Sequence, residues 1–119
     1  MEVELQEVVR RLGEDGFLVL DVRSRREYTG EAVAPCDPRP GRIPGALHLD
    51  LQELLASTPD QIRERLGEAA EGELVTYCHS GSRSELAAEI LRSLGYSAAN
   101  YRGSWHEWSR DESLPAEMG

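Results

Sequence analysis

ELVTYCHSGSRSELAAEILRSLG (73–95) changes its hydrophobic period partway along. Residues 73–78 read as a short strand buried on both faces, because the apolar side chains do not alternate cleanly with polar ones. SELAAEILRSLG then places Leu86, Ala87, Ile90, Leu91 and Leu94 on one face of a helix, with Gly95 where a left-handed cap belongs. Between them lies YCHSGSRS (77–84), which carries a cysteine, a glycine and an arginine within six positions.

The same alternation extends outward in both directions. ELQEVVRRL (4–12) sets Leu5, Val8, Val9 and Leu12 at helical spacing, with Gly13 and Gly16 as terminators. FLVLDV (17–22) reads as a second buried strand and SRREYTGE as a short helix after it. VAPCDPRPGRIPG (33–45) contains four prolines and two glycines and reads as an ordered loop. ALHLDL (46–51) is expected to be a strand, and Leu54, Leu55, Ile62 and Leu66 mark two short helices around a Pro59-Asp60 turn. SAANYR (97–102) supplies a further strand before the final GSWHEWS segment.

Strands that alternate with helices pair in parallel through crossovers. The expected architecture is a three-layer α/β domain over residues 1–119, with a central, mostly parallel sheet of about five strands and helices on both faces. In such sheets ligands bind at the carboxyl ends of strands, near helix N-termini. Residues 77–84 lie at such a place.

The formal net charge of −9 disfavours nucleic acid and anionic membrane surfaces as partners. No apolar run approaches the roughly 20 residues of a membrane span. The opening MEVELQEVVRRL lacks the pattern of a secretory signal, so a cytoplasmic location is expected. All 13 basic residues are arginine, which reads as a bias of source. Cys36 and Cys78 are too few for a disulfide scaffold and lack the spacing of a zinc ribbon.

A strand that ends at Cys78, followed by a helix that begins near Ser82 to Ser84, lets backbone N–H groups converge on the sulfur. Gly81 permits the bend, and Arg83 adds a permanent positive charge that favours a thiolate and an anionic leaving group. The alternative is a buried apolar cysteine beside a surface arginine. The local pattern alone leaves both readings open.

The chain resembles rhodanese-type sulfurtransferases through four ordered motifs. LDVRSRREYTG (20–30) is similar to their first conserved segment, GRIPGALHLD (41–50) to the second, and YCHSGSRS to the active-site loop. The tail YRGSWHEWS (101–109) and the inserted APCDPRPGRIPGA (34–46) are most similar to the C-terminal catalytic domain of two-domain thiosulfate and 3-mercaptopyruvate sulfurtransferases. Unlike those enzymes, this chain has Gly81-Ser82-Arg83-Ser84 in the loop, as many single-domain relatives do.

The resemblance implies that Cys78 carries a sulfane sulfur as a persulfide, within a loop formed by His79, Ser80, Gly81, Ser82, Arg83 and Ser84. Related cysteine phosphatases carry C-x5-R. The shorter C-x4-R spacing here implies a cup for one sulfur rather than for phosphate. Arg42 falls where relatives often have histidine and is expected either to line the cleft or to pack on the surface. Asp21 and Arg23 are expected to pair structurally, with Glu27 as a further partner. His79 either faces the donor or is solvated.

Cys36 is read as inert, with a resolving thiol as the alternative, and His48 as a strand residue. Trp105 and Trp108 read as core packing. No metal and no cofactor are expected, since a zinc site of Cys78, His79 and His106 has no motif spacing and would quench the nucleophile. The expected activity is transfer of sulfur from thiosulfate, or a related small-molecule donor, to a thiol or cyanide acceptor. The alternative is a persulfide carrier that serves a protein sulfur acceptor.

Overall fold

The structure, a computed structural model, describes residues 1–119, the side chain of residue 69 excepted. Strands β1 (Glu2–Val3), β2 (Phe17–Asp21), β3 (Leu47–His48), β4 (Glu73–Tyr77) and β5 (Ser97–Tyr101) form one sheet in the order β1-β5-β4-β2-β3. Every neighbouring pair is parallel. The central strand is β4, which pairs with β2 from Phe17–Glu73 to Asp21–Tyr77. Asp21 therefore stands beside Tyr77 at the carboxyl end of the sheet, one residue before Cys78.

Both faces of the sheet are apolar, which accounts for the unbroken runs in β2 and β4. Leu20 and Leu74 join Leu49, Leu51, Leu54, Ile62, Leu66, Ala87, Ala88 and Leu91 in one core. That face is covered by α3 (Leu51–Ala56), α4 (Pro59–Leu66) and α5 (Ser82–Ser93). Phe17, Val19, Val75 and Tyr77 point the other way, into a core with Val8, Ile43, Tyr101, Trp105 and Trp108. This second face is covered by α1 (Leu5–Arg11), the 33–45 loop and α6 (Ser104–Trp108). Trp105 and Trp108 are each only 1% exposed and pack as core residues.

Several local expectations change. The 46–51 segment contributes only Leu47–His48 to the sheet, because the Asp50 side chain accepts from the Gln52 N–H and starts α3. Pro59 is not in a turn between helices but in the first turn of α4, behind a reciprocal Thr58–Gln61 capping box. Leu86 is 42% exposed, and α5 buries Ser84, Ala87, Ala88 and Leu91 instead. Small residues at that face bring the helix close to β4, where the Thr76 hydroxyl donates to the Ser84 carbonyl at 2.8 Å. Strand β1 is too short to leave a periodic signal.

The remaining helix, α2 (Arg25–Thr29), starts at a Ser24–Glu27 capping box. Helix α5 ends as expected: Gly95 takes φ +98°, and the Tyr96 N–H donates to the Leu91 carbonyl. Among the described residues no helix is long and apolar enough to cross a membrane.

Candidate active site

The site is built where β4 gives way to α5. Cys78 is fully buried, and its Sγ accepts the Gly81 N–H at 3.1 Å and the Ser84 hydroxyl at 3.3 Å. Burial pushes the thiol pKa up, but the Ser84 hydroxyl and the N–H groups of Ser84, Gly81 and Ser80 outweigh it, and the thiol lies below its ordinary value. The sulfur is thus held by one side chain and a ring of backbone donors.

The turn needs glycine at position 81. Gly81 has φ +96°, and a Cβ there would stand 2.6 Å from the Arg102 carbonyl oxygen. Asn100 fixes the same turn from β5, donating its side-chain amide to the Gly81 carbonyl at 3.2 Å. Ser80 and Ser82 are exposed on the rim, and His79 and Arg83 are half-buried.

Ser104, which the sequence reading did not single out, holds the nucleophile from behind. Its Oγ accepts the Cys78 N–H at 3.1 Å and donates to the Tyr101 carbonyl at 2.9 Å. The residue is fully buried with φ 55°, an unusual backbone state for a residue with a Cβ. Two backbone bonds then tie α6 to the loop: Trp105 N–H to the Cys78 carbonyl and His106 N–H to the His79 carbonyl, each 2.9 Å. The signal for this junction in the sequence was the YRGSWHEWS motif (101–109), which contains Ser104.

Arg83 does not stand alone as a free cation beside the sulfur. Its guanidinium donates to both carboxylate oxygens of Glu27, at 3.0 and 3.2 Å. Glu27 is accordingly not the partner of Asp21 and Arg23. Those two form a buried pair of their own, with Arg23 also donating to the Gly41 carbonyl and the Tyr77 hydroxyl donating to Asp21 at 2.6 Å.

Arg42 bonds outside the loop. Its guanidinium donates to the Tyr28 and Gly119 carbonyls, lies over the Tyr28 ring and meets Glu117. These bonds join the proline-rich loop to Tyr28 and to the chain's last residues. His48 sits in β3, and its Nε2 lies 2.8 Å from the Arg23 carbonyl.

Cys36 is exposed, with its Sγ 3.6 Å from Nε2 of His79. Asp37 and His106 complete a group of four side chains at this rim. Sequence spacing gave no signal for it, because the four come from three separate segments.

Comparison with known proteins agrees with this geometry. The family model for the rhodanese-like domain matches residues 4–111. The thiosulfate sulfurtransferase of Azotobacter vinelandii is 35% identical over 117 residues, covering 91% of this chain and 42% of the relative. The "Probable 3-mercaptopyruvate sulfurtransferase" of Pseudomonas aeruginosa is 34% identical over 119 residues, covering 92% of this chain and 42% of its own length. A crystal structure of a "Probable Thiosulfate Sulfurtransferase" superposes with a TM-score of 0.82 at 45% identity, covering 98% of this chain and 47% of that one. An anaerobic ergothioneine biosynthesis enzyme from Chlorobium limicola, in complex with trimethyl histidine, gives a TM-score of 0.82 at 26% identity over 99% of this chain and 32% of its own. The chain spans less than half the length of the relatives it matches. A family match that starts in the residue before α1 and runs through α6 takes in the whole cradle around Cys78, and the chain belongs to the rhodanese-like domain family.

Proposed function

We propose that this domain is a sulfurtransferase that takes a sulfane sulfur from thiosulfate, or a related small donor, and passes it to a thiol or to cyanide through a persulfide on Cys78. The observation that carries this reading is the position of the Cys78 sulfur inside a ring of donors from Gly81 and Ser84. Those donors stabilise negative charge on sulfur and are already oriented before any donor arrives.

In the first half-reaction the Cys78 thiolate attacks the outer sulfur of thiosulfate. A Cys78–sulfur bond forms, the sulfur–sulfur bond of thiosulfate breaks, and its electron pair leaves with sulfite. The new terminal sulfur carries the negative charge that the thiolate carried before. In the second half-reaction cyanide or a thiolate attacks that terminal sulfur, and the electron pair of the persulfide bond returns to Cys78. The product is thiocyanate or an acceptor persulfide, and the cycle is ping-pong.

No general base is required when the nucleophile is already ionised. The loop donors favour the thiolate form of Cys78, and they would favour its persulfide anion in the same way. Full burial of Cys78 favours a small donor with an exposed terminal sulfur over a bulky one. Steady-state kinetics with thiosulfate and cyanide test the reading: parallel double-reciprocal lines, lost in Cys78→Ser, are expected. Transfer from a protein persulfide with none from small donors would replace this reading with that of a relay carrier.

A further inference from the structure

The rim beside Cys78 holds a second constellation that sulfur transfer does not use. Cys36 and Asp37 come from the proline-rich loop, His79 from the active-site loop and His106 from α6. One ligand atom from each lies within 4.8 Å of all the others. A tetrahedral site with bonds of ~2.0 to 2.3 Å has edges of roughly 3.3 to 3.8 Å. The separations are of that order: Cys36 Sγ to His79 Nε2 is 3.6 Å and His79 Nε2 to Asp37 Oδ2 3.0 Å, while the other carboxylate oxygen, Oδ1, lies 3.9 Å from Cys36 Sγ and 3.4 Å from His106 Nδ1.

Asp37 supplies an independent pointer to a ligand. Its side chain is only 1% exposed, yet Oδ2 has no hydrogen-bond partner among the described residues. His79 Nε2 stands close to that oxygen but off the line a hydrogen bond needs. A buried carboxylate oxygen left in this state is costly. A cation between Oδ2 and Nε2 would engage the lone pairs of both.

The surroundings hold these groups in place. Arg110 donates to Asp37 Oδ1 at 3.2 Å and to the carbonyls of Cys36 and His106, which fixes the carboxylate and leaves Oδ2 facing His79 Nε2. Arg39 donates to four carbonyls between Trp108 and Leu114, and Trp105 Nε1 donates to the Arg39 carbonyl, so the proline-rich loop is pinned to α6 and the segment after it.

We propose that Cys36, Asp37, His79 and His106 form a binding site for a divalent cation of the zinc class. One thiolate, one carboxylate and two imidazoles suit a borderline-soft ion with tetrahedral preference. On binding, the Cys36 thiol gives up its proton, and thiolate and carboxylate together balance the two positive charges of the ion. Cys78 is outside the set, so the site does not consume the nucleophile; it clamps the residue next to it.

The test uses cobalt(II) titrated into chelator-treated protein that has seen no sulfur donor. The expected spectrum has intense tetrahedral ligand-field bands and a thiolate-to-cobalt charge-transfer band at one equivalent. Cys36→Ser should abolish the charge-transfer band, and His106→Ala should weaken binding by at least about tenfold. Cys78→Ser should leave both features intact, which separates this site from the proposed sulfur chemistry. Circular dichroism of each variant checks that the fold is kept, and isothermal titration of zinc into wild-type protein gives the stoichiometry directly. Weak octahedral bands, no one-to-one zinc binding, or a charge-transfer band that follows Cys78 instead of Cys36 would overturn the proposal.

Discussion

Arg83 and Glu27 lie 56 positions apart in the chain and meet as a two-point ion pair, with both carboxylate oxygens accepting from the guanidinium. The loop that carries the nucleophile is thereby braced against α2. The pair, together with the Ser24 N–H and hydroxyl, outweighs the cost of burial and holds the Glu27 carboxyl at about 2, against an ordinary 4.5.

A depressed carboxyl pKa contributes stability above the unfolded value and loses it as pH falls through the folded value. Glu27 should therefore stabilise the domain fully above about pH 5 and progressively less towards pH 2. Because the Arg83 side chain is 38% exposed, solvent screening limits the contribution to about 1 kcal/mol. Urea unfolding of wild type and Glu27→Gln should show a gap at neutral pH that closes between pH 5 and pH 2. A gap independent of pH would mean that the ionised pair is not its source.

Ser84→Ala removes the one side-chain donor to the Cys78 sulfur among the described residues. Its loss raises the thiol pKa, so the pH profile of alkylation in chelator-treated protein should move alkaline. Sulfur transfer at neutral pH should fall roughly tenfold, the order expected for one hydrogen bond to a charged group. Unchanged alkylation would assign thiolate stability to the backbone alone.

Gly81→Ala tests the turn itself. A methyl group there meets both a left-handed backbone and the Arg102 carbonyl oxygen, so a loss of about 1 to 3 kcal/mol is expected, together with lower activity. Thermal unfolding and the thiosulfate assay measure the two effects. Retained stability with retained activity would show that the loop tolerates a different turn.

Arg23→Leu leaves the Asp21 carboxylate buried without its cation. The expected cost is about 3 to 5 kcal/mol, read from denaturant unfolding. Its size follows from burial, since Asp21 is fully buried and Arg23 is 3% exposed. A cost below about 1 kcal/mol would show that water reaches the site after substitution.

The sequence reveals those parts of the molecule whose chemistry is local. β2 and β4 were readable because both of their faces are apolar, and the bend at Gly81 because it lies three residues from Cys78, whereas the Ser84 hydroxyl as a donor to the sulfur was not expected. α5 was readable as a helix but not in its exact face, since Ala88 is buried and Leu86 is not. The Glu27–Arg83 pair, the Ser104 anchor and the approach of Cys36 to His79 were not readable. Each depends on which loops the parallel strand order collects at one edge, over separations of 56, 26 and 43 residues. Arg42 drew attention through its place in a motif, whereas its bonds are to Tyr28 and the last residues of the chain.

Intact mass spectrometry after brief incubation with thiosulfate tests the central claim most directly. The account predicts a gain of one sulfur atom that maps to Cys78, is retained in Cys36→Ser, is absent in Cys78→Ser, and is released by cyanide as thiocyanate. A protein that gains no sulfur, or that gains it on Cys36 when Cys78 is replaced, would contradict it.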